Sequence, residues 1–233
     1  MDIFLDIETV PSQLASVRDI IAAGISCPGN YTKDESIAAW EADKKPALVE
    51  EAWLKTSFDG ALGHTAVIGL AFDDEEPIAI WSPNWLEREA YMLREAFDMI
   101  HERCSRNLGD RPIFVGHNIV DFDFRFLFQR AVMLGVRPTP FIPFEAKPWD
   151  DKVFDTMVRW AGARNSVSLD KLSTVLGFGG KGEMDGSKVW AAVRDGRIAD
   201  VANYCGDDIR KTRSIYKRMT FAEPVRHLEA LAA

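Results

Sequence analysis

Short runs of apolar residues alternate with longer amphipathic segments, and this alternation is the feature that most restricts the fold. Because helix-length segments separate most of the apolar runs, the pattern indicates an α/β domain with a mixed sheet. Acidic residues 73–76 separate two neighbouring runs, which indicates a hairpin with a solvent-exposed turn. The runs that we interpret as strands are Ile3–Ile7, Thr65–Phe72, Pro77–Trp81, Pro112–Val115 and Val153–Asp155.

The amphipathic segments predict the helices. Residues 122–134 are ambiguous, because phenylalanines alternate from 122 to 128 as in a strand, yet they also form i, i+4 pairs; we interpret the segment as a buried helix. We expect a single domain with a helical insertion at about residues 30–60, in which Pro46 breaks or kinks the helix. The other predicted helices lie at 12–23, 35–58, 85–104, 168–176, 187–193 and 199–219.

The composition excludes several classes of protein. With 47% hydrophobic and 27% charged residues, the chain is typical of a folded domain and not of a disordered one. Its three cysteines form no C-x-x-C pair, so the sequence predicts neither a zinc site nor a disulfide framework. No uncharged run exceeds 13 residues, and a bilayer span needs about 20. We therefore expect a cytoplasmic protein that does not associate with membranes.

The charge is distributed unevenly along the chain. The net charge of −8 argues against loose adhesion to nucleic acid or anionic lipid, because both require a positive surface. Residues 1–110 carry 9 basic and 21 acidic side chains, whereas residues 111–233 carry 19 and 15. The two halves are therefore expected to differ in their electrostatic roles.

Two acidic residues interrupt the first predicted strand. Asp6 and Glu8 are two positions apart, so both side chains leave the same face of that strand. Two ionised carboxylates buried side by side are unfavourable unless a cation lies between them. The pattern D-x-E alone is expected about 1.4 times from this composition, so the position on a strand is what makes the pair a candidate site.

Two further motifs follow. The pattern N-x-x-x-F-D, formed by Asn118, Phe122 and Asp123, is expected only about 0.03 times by composition. Tyr204 and Asp208 are four apart and share one face of a predicted helix, a pattern expected about 0.4 times. Asn118 also fits a helix cap and Asp123 a first-turn acid, and both roles are compatible with a functional one.

In their order and separation, the three motifs resemble the DEDD superfamily of 3′–5′ exonucleases. Tyr204 is typical of the DEDDy branch, since the histidine branch requires His where this chain has Asn203. The segments 153–156, 184–190 and 204–208 resemble the stand-alone group related to the proofreading domain of family B DNA polymerases. The resemblance implies a ribonuclease H-like mixed five-stranded sheet flanked by helices, and a single 3′–5′ exonuclease domain over residues 1–233.

The resemblance also implies a two-metal site with Mg²⁺ or Mn²⁺. In the family's terms Asp6 bridges both ions, Glu8 and Asp208 complete one, and Asp123 holds the second through water. Tyr204 is expected to orient the attacking water, because a phenol with an ordinary pKa of about 10 is a poor base at neutral pH.

The implied substrate is the 3′ end of a nucleic acid, with single-stranded DNA expected and RNA as the nearest alternative. A catalytically silent nucleic-acid-binding module is the runner-up from another class. No feature of the sequence identifies a replication or repair partner. The candidate substrate contacts are Thr9, Asn118, Phe122, Lys181 and Lys211.

Three neighbouring features have simpler interpretations. The glycine-rich loop around Lys181 follows a predicted helix and not a strand, so we exclude a dinucleotide-binding fingerprint. Asp155 fits a helix N-cap and a residue that supports the metal ligands equally well. His117 is interpreted as a structural hydrogen-bonding residue.

Overall fold

A mixed five-stranded sheet organises the protein. The computed structural model describes residues 1–106, 111–180, 182 and 184–222. The sheet order is β3-β2-β1-β4-β5, with β1 antiparallel to β2 and parallel to β4. The predicted α/β class and mixed sheet are therefore confirmed. The strands are β1 (Asp2–Val10), β2 (His64–Phe72), β3 (Ile78–Trp81), β4 (Ile113–Gly116) and β5 (Val153–Asp155).

Helices cover both faces of this sheet. The ambiguous segment is helical, as predicted, and it ends at Gly135, whose φ of 62° provides the left-handed C-cap. The helices are α1 (Ala15–Gly24), α2 (Asp34–Asp43), α3 (Lys45–Leu54), α4 (Trp85–Arg106), α5 (Asp123–Leu134), α6 (Thr156–Ala161), α7 (Leu169–Val175), α8 (Val189–Arg194) and α9 (Ile198–Met219), with 3-10 turns at Lys55–Phe58 and Gly186–Lys188. Within the described ranges, no helix combines the length and the apolar character that a membrane span requires.

The segment predicted as one helix from 35 to 58 is divided. It forms α2, α3 and a 3-10 turn, and Pro46 lies in the first turn of α3. The predicted break at this proline is confirmed, because proline is tolerated where a helix begins but not in its interior. That residues 30–60 are an insertion into the domain stays a prediction.

Alternate residues of β1 pack on opposite sides of the sheet. Ile3, Leu5 and Ile7 belong to the core formed with α4 and α5. Phe4 faces the other side, where it packs with Ile209 of α9. Because side chains alternate along a strand, the residues of β1 that follow Phe4 at intervals of two also face α9. The sheet thus directs Asp6 and Glu8 toward that helix.

A glycine on the neighbouring strand allows α9 to approach closely. Gly69 pairs with Asp6 across β1 and β2. A Cβ at this position would lie 2.6 Å from both Cys205 Sγ and Ile209 Cδ1, a distance that side chains cannot tolerate. Any larger residue here would therefore force the side chains of Cys205 and Ile209, or α9 itself, to shift.

A buried ion pair joins α4 to α5 and to the start of β2. Glu89 Oε1 accepts hydrogen bonds from Arg130 Nε at 2.8 Å and from the Thr65 amide at 2.7 Å. Glu89 Oε2 pairs with an Arg130 guanidinium nitrogen at 2.6 Å and with His64 Nδ1 at 2.9 Å. Arg130 also donates to the Gly60 carbonyl at 3.1 Å. The turn before β2 is therefore tied to the two helices on one side of the sheet.

Candidate active site

The two carboxylates of β1 lie in the space between the sheet and α9. Glu8 is buried, and Asp6 Oδ2 is also shielded from solvent, with no hydrogen-bond partner among the described residues. Such an unpartnered carboxylate oxygen costs free energy unless the group is protonated or a cation binds it. The immediate surroundings of Asp6 thus favour a positively charged ligand.

Asp123 reaches the same place from the other side of β1. It is the first residue of α5, and its Oδ1 accepts a hydrogen bond from the Ile7 amide at 3.1 Å. The predicted first-turn position is confirmed. The helix-cap alternative for Asn118 is wrong, because the N-cap residue of α5 is Phe122. No side-chain hydrogen bond caps the start of this helix. Asn118 instead has a left-handed φ of 64°, which turns the chain before α5.

Asp155 holds the turn that leads to Asp123. Its Oδ1 accepts hydrogen bonds from the amides of Met157 and Val158, which makes it the N-cap of α6. The same oxygen accepts the Asn118 amide at 3.0 Å, and Oδ2 accepts the Val120 amide at 3.5 Å. The N-cap interpretation of Asp155 is confirmed, and the same carboxylate supports the loop before Asp123. That it supports a metal ligand stays a prediction.

His117 has a structural role, as predicted. Its Nδ1 lies 2.9 Å from Thr156 Oγ1 and its Nε2 lies 2.8 Å from the Val167 carbonyl. Burial lowers the pKa of this histidine. A neutral imidazole whose two nitrogens are both occupied has no free position for a metal.

Helix α9 contributes Tyr204 and Asp208 to the site. Burial raises the pKa of Asp208, and the nearby Tyr204 hydroxyl partly opposes this shift. Lys211 Nζ donates to Asp208 Oδ1 at 3.0 Å and to Asp170 Oδ1 at 2.9 Å. The lysine thus links a candidate metal ligand to α7, a contact that no motif predicts.

The four acidic residues of the motifs are close enough to raise one another's pKa. Burial raises the pKa of Asp6 to about 8, and the charge of Asp208 adds to this shift. Burial, followed by the charges of Asp6, Asp208 and Asp123, raises the pKa of Glu8 well above its ordinary value. Burial and the Asp6 charge likewise raise the pKa of Asp123. The structure therefore brings together the carboxylates of all three motifs.

These shifts predict how stability depends on pH when no metal is present. Asp6 has a pKa near 4 in the unfolded chain and about 8 in the folded protein. Its contribution is fully present below pH 4 and is lost as the pH rises to 8. We expect the free energy of unfolding to fall by up to about 1.4 kcal/mol per pH unit over this interval for this group. Urea unfolding in EDTA between pH 5 and 8 measures this pH dependence. A free energy of unfolding that rises with pH across this range would contradict the raised pKa of Asp6.

Cys205 is a member of the site that the motifs did not single out. Ligand atoms of Asp6, Glu8 and Cys205 all lie within 4.8 Å of one another, so the group can hold a metal ion. Burial and the charges of Asp6 and Glu8 raise the pKa of the thiol well above its ordinary value. A protonated thiol is a weak ligand for hard cations, so the carboxylates are the stronger donors here.

The candidate substrate contacts differ in where they lie. Thr9 follows Glu8 across a register shift in β1, and Phe122 directly precedes Asp123. Asn118 lies in the turn that Asp155 supports. Lys211 is paired with two carboxylates, and Lys181 lies outside the described residues. A substrate-binding role stays a prediction for all five.

The fold resembles that of a much larger protein. A family B DNA polymerase from the hyperthermophilic archaeon Pyrobaculum calidifontis superposes with a TM-score of 0.56 at 16% sequence identity. The similarity covers 94% of this chain and 24% of the polymerase chain, and at this identity it concerns the fold alone. The predicted ribonuclease H-like fold is confirmed. No curated protein matches the sequence.

A family model agrees with the resemblance seen in the motifs. It describes predicted 3′–5′ exonucleases related to the exonuclease domain of PolB, and it matches residues 60–229. The matched range contains Asp123, Tyr204 and Asp208, whereas Asp6 and Glu8 precede it. Because the match covers well over half of the sequence, the chain belongs to this family of predicted 3′–5′ exonucleases related to the exonuclease domain of PolB.

Proposed function

We propose that this protein is a metal-dependent 3′–5′ exonuclease that releases 5′-mononucleotides from the 3′ end of single-stranded DNA. The observation that carries this proposal is the pocket of four mutually repelling carboxylates, in which Asp6 Oδ2 is buried without a partner among the described residues. Membership of the exonuclease family supports a nucleic acid as the substrate.

The residues of the pocket fit two Mg²⁺ or Mn²⁺ ions, which Asp6, Glu8, Asp123 and Asp208 would hold. Hard divalent cations prefer carboxylate oxygens and water, and they offset the repulsion that raises these pKa values. When bound, such a pair supplies a hydroxide nucleophile at neutral pH and neutralises charge on the phosphoryl group.

Other side chains would position the reacting groups. Tyr204 stays protonated, because burial and the charges of Asp208 and Glu8 raise its pKa above the ordinary value. Its hydroxyl can therefore orient a water but cannot act as a base at neutral pH. Thr9, Asn118 and Phe122 would hold the strand end, and Lys211 partly offsets the charge of Asp208.

A labelled-oligonucleotide ladder tests this proposal. Single-stranded DNA, duplex DNA and RNA are incubated with Mg²⁺, Mn²⁺ or EDTA, and we expect 3′ shortening of single-stranded DNA in either metal only. Asp208→Asn should be inactive. Asp207 is an exposed neighbour that pairs with Arg210, so Asp207→Asn should shorten the oligonucleotide as fast as the wild type. Shortening of RNA alone would indicate an exoribonuclease, and binding without shortening on any substrate would indicate a silent module.

Tyr204→Phe separates the role of the hydroxyl from metal binding. The variant should lower kcat by about 10²-fold, because it loses an oriented donor at the reacting water. Stabilisation by Mn²⁺ should persist, because the four carboxylates are unchanged. Single-turnover kinetics and thermal melting with Mn²⁺ measure the two quantities. Equal loss of turnover and of metal-induced stabilisation would contradict a water-orienting role.

A further inference from the structure

An exposed aromatic ring lies beside the candidate site on a segment that none of the three motifs covers. Phe58 ends the 3-10 turn after α3 and is 71% exposed. Its ring meets that of Phe122 edge to face, with the ring centroids 6.2 Å apart. Phe122 directly precedes Asp123, so the Phe58 ring contacts the sequence neighbour of a candidate metal ligand.

The turn that carries Phe58 is held firmly against the end of β1. Thr9 Oγ1 donates to the Ser57 carbonyl at 2.7 Å, and the Ser12 amide donates to Thr56 Oγ1 at 2.9 Å. Gly63 packs so closely that a Cβ there would lie 2.5 Å from the Thr56 carbonyl oxygen. An aromatic ring on a backbone held in this way loses little conformational entropy when a ligand stacks on it.

A cleft of about 250 Å³ adjoins the ring on the protein surface. Thr9, Phe58, Leu54 and Trp190 are among the residues that line it. Thr9 directly follows Glu8, so one wall of the cleft is formed by the sequence neighbour of a candidate metal ligand. Rings of Phe58 and Trp190 in one cleft provide apolar surfaces for a planar ligand, and the opening is exposed to solvent at Phe58.

We propose that Phe58 stacks on an unpaired base near the 3′ end of the substrate and thereby favours single strands over paired ends. This inference rests on the proposed nuclease function and assigns one determinant of its substrate preference. Every base presents a π-face, so stacking on an aromatic side chain is tolerant of sequence. A base in a duplex end is already paired and stacked, and it must be released before it reaches the ring.

Steady-state kinetics on a single-stranded oligonucleotide measure the contribution of the ring. Phe58→Ala should raise KM by about 5- to 150-fold, the range typical of removing one stacking side chain, with a smaller effect on kcat. Phe58→Trp should retain the wild-type KM. Phe128→Ala is the matched control, because Phe128 is also an exposed phenylalanine but packs on Phe144 and takes no part in the carboxylate pocket. Thermal melting confirms that each variant is folded.

Abasic substitutions in the oligonucleotide identify the stacked base. One abasic residue is placed in turn at each of the last four positions, and the wild type and Phe58→Ala are compared on every strand. At the stacked position, the abasic residue should raise the KM of the wild type by the same factor as Phe58→Ala raises it on the intact strand. The KM of Phe58→Ala should not rise further on this abasic strand. An unchanged KM in Phe58→Ala, or penalties that multiply at all four positions, would overturn the inference while leaving the nuclease function intact. Absence of shortening by the wild type would instead defeat the proposed function.

Discussion

Asp6→Asn is expected to lower kcat/KM by at least about 10³-fold and to abolish stabilisation of the protein by Mn²⁺. The substitution removes a carboxylate whose Oδ2 has no other partner among the described residues. Bound cations of this kind stabilise a phosphoryl-transfer transition state by several kcal/mol, which corresponds to this loss of rate. Thermal melting with and without Mn²⁺, together with the oligonucleotide ladder, measures both effects.

The same variant is expected to be more stable than the wild type when metal is removed. At pH 8 the free energy of unfolding in EDTA should rise by about 1–3 kcal/mol, because Asn carries no charge to be buried beside Glu8 and Asp208. Asp121→Asn, an exposed residue close to Asp123 in sequence, serves as the control and should change neither quantity. A variant that is less stable than the wild type in EDTA would identify Asp6 as a structural hydrogen-bonding residue.

Glu89→Ala is expected to cause the largest loss of stability, about 3–5 kcal/mol in the free energy of unfolding. Hydrogen bonds from His64 and Arg130 outweigh burial and lower the pKa of Glu89, so the carboxylate is ionised at neutral pH. Removing it leaves the buried Arg130 guanidinium without its counter-charge, which is more costly than the loss of a pair at the surface. Urea unfolding at pH 7 measures the change.

Two further variants test whether the unpaired charge of Arg130 causes the loss of stability in Glu89→Ala. Glu95→Ala, an exposed glutamate on the same helix, should change the free energy of unfolding by less than about 0.5 kcal/mol. Glu89→Leu combined with Arg130→Met removes both charges and should recover much of the loss. A double variant no more stable than Glu89→Ala would show that the hydrogen bonds to Thr65 and Gly60, and not the uncompensated charge, determine the stability.

Local patterns were sufficient to predict most of the elements of this fold. The phenylalanines of α5 fit both the alternation of a strand and the i, i+4 spacing of a helix. The helical interpretation is correct, because the apolar pattern continues over three turns. The division of residues 35–58 was foreseen only at Pro46. The register shift between Glu8 and Thr9 depends on how β1 pairs with β2, so no pattern within β1 could predict it.

The candidate site was predicted as far as its residues occur in motifs. No motif predicts Asp170 or Phe58. Asp170 reaches the site only through its contact with Lys211, which lies 41 positions later in the chain. Phe58 reaches it only through its packing on Phe122. The helical spacing of Cys205 also indicates that it faces the site. It lies four residues after the buried Val201 and three before Asp208, on the stripe of α9 that faces the sheet.

The partners that complete the carboxylate pocket are synthesised at very different times. Cys205 Sγ of α9 lies 3.7 Å from the Asp6 carbonyl of β1, although 199 positions separate the two residues. A nascent chain that has emerged only as far as α8 contains β1 to β5 but lacks Tyr204 and Asp208, and the sheet face around Phe4 is still uncovered. Such long-range closure is slow compared with local folding. Burial of the sheet face around Phe4 and completion of the carboxylate group therefore both depend on α9, so a chain stalled before α9 lacks Tyr204 and Asp208 of the candidate site.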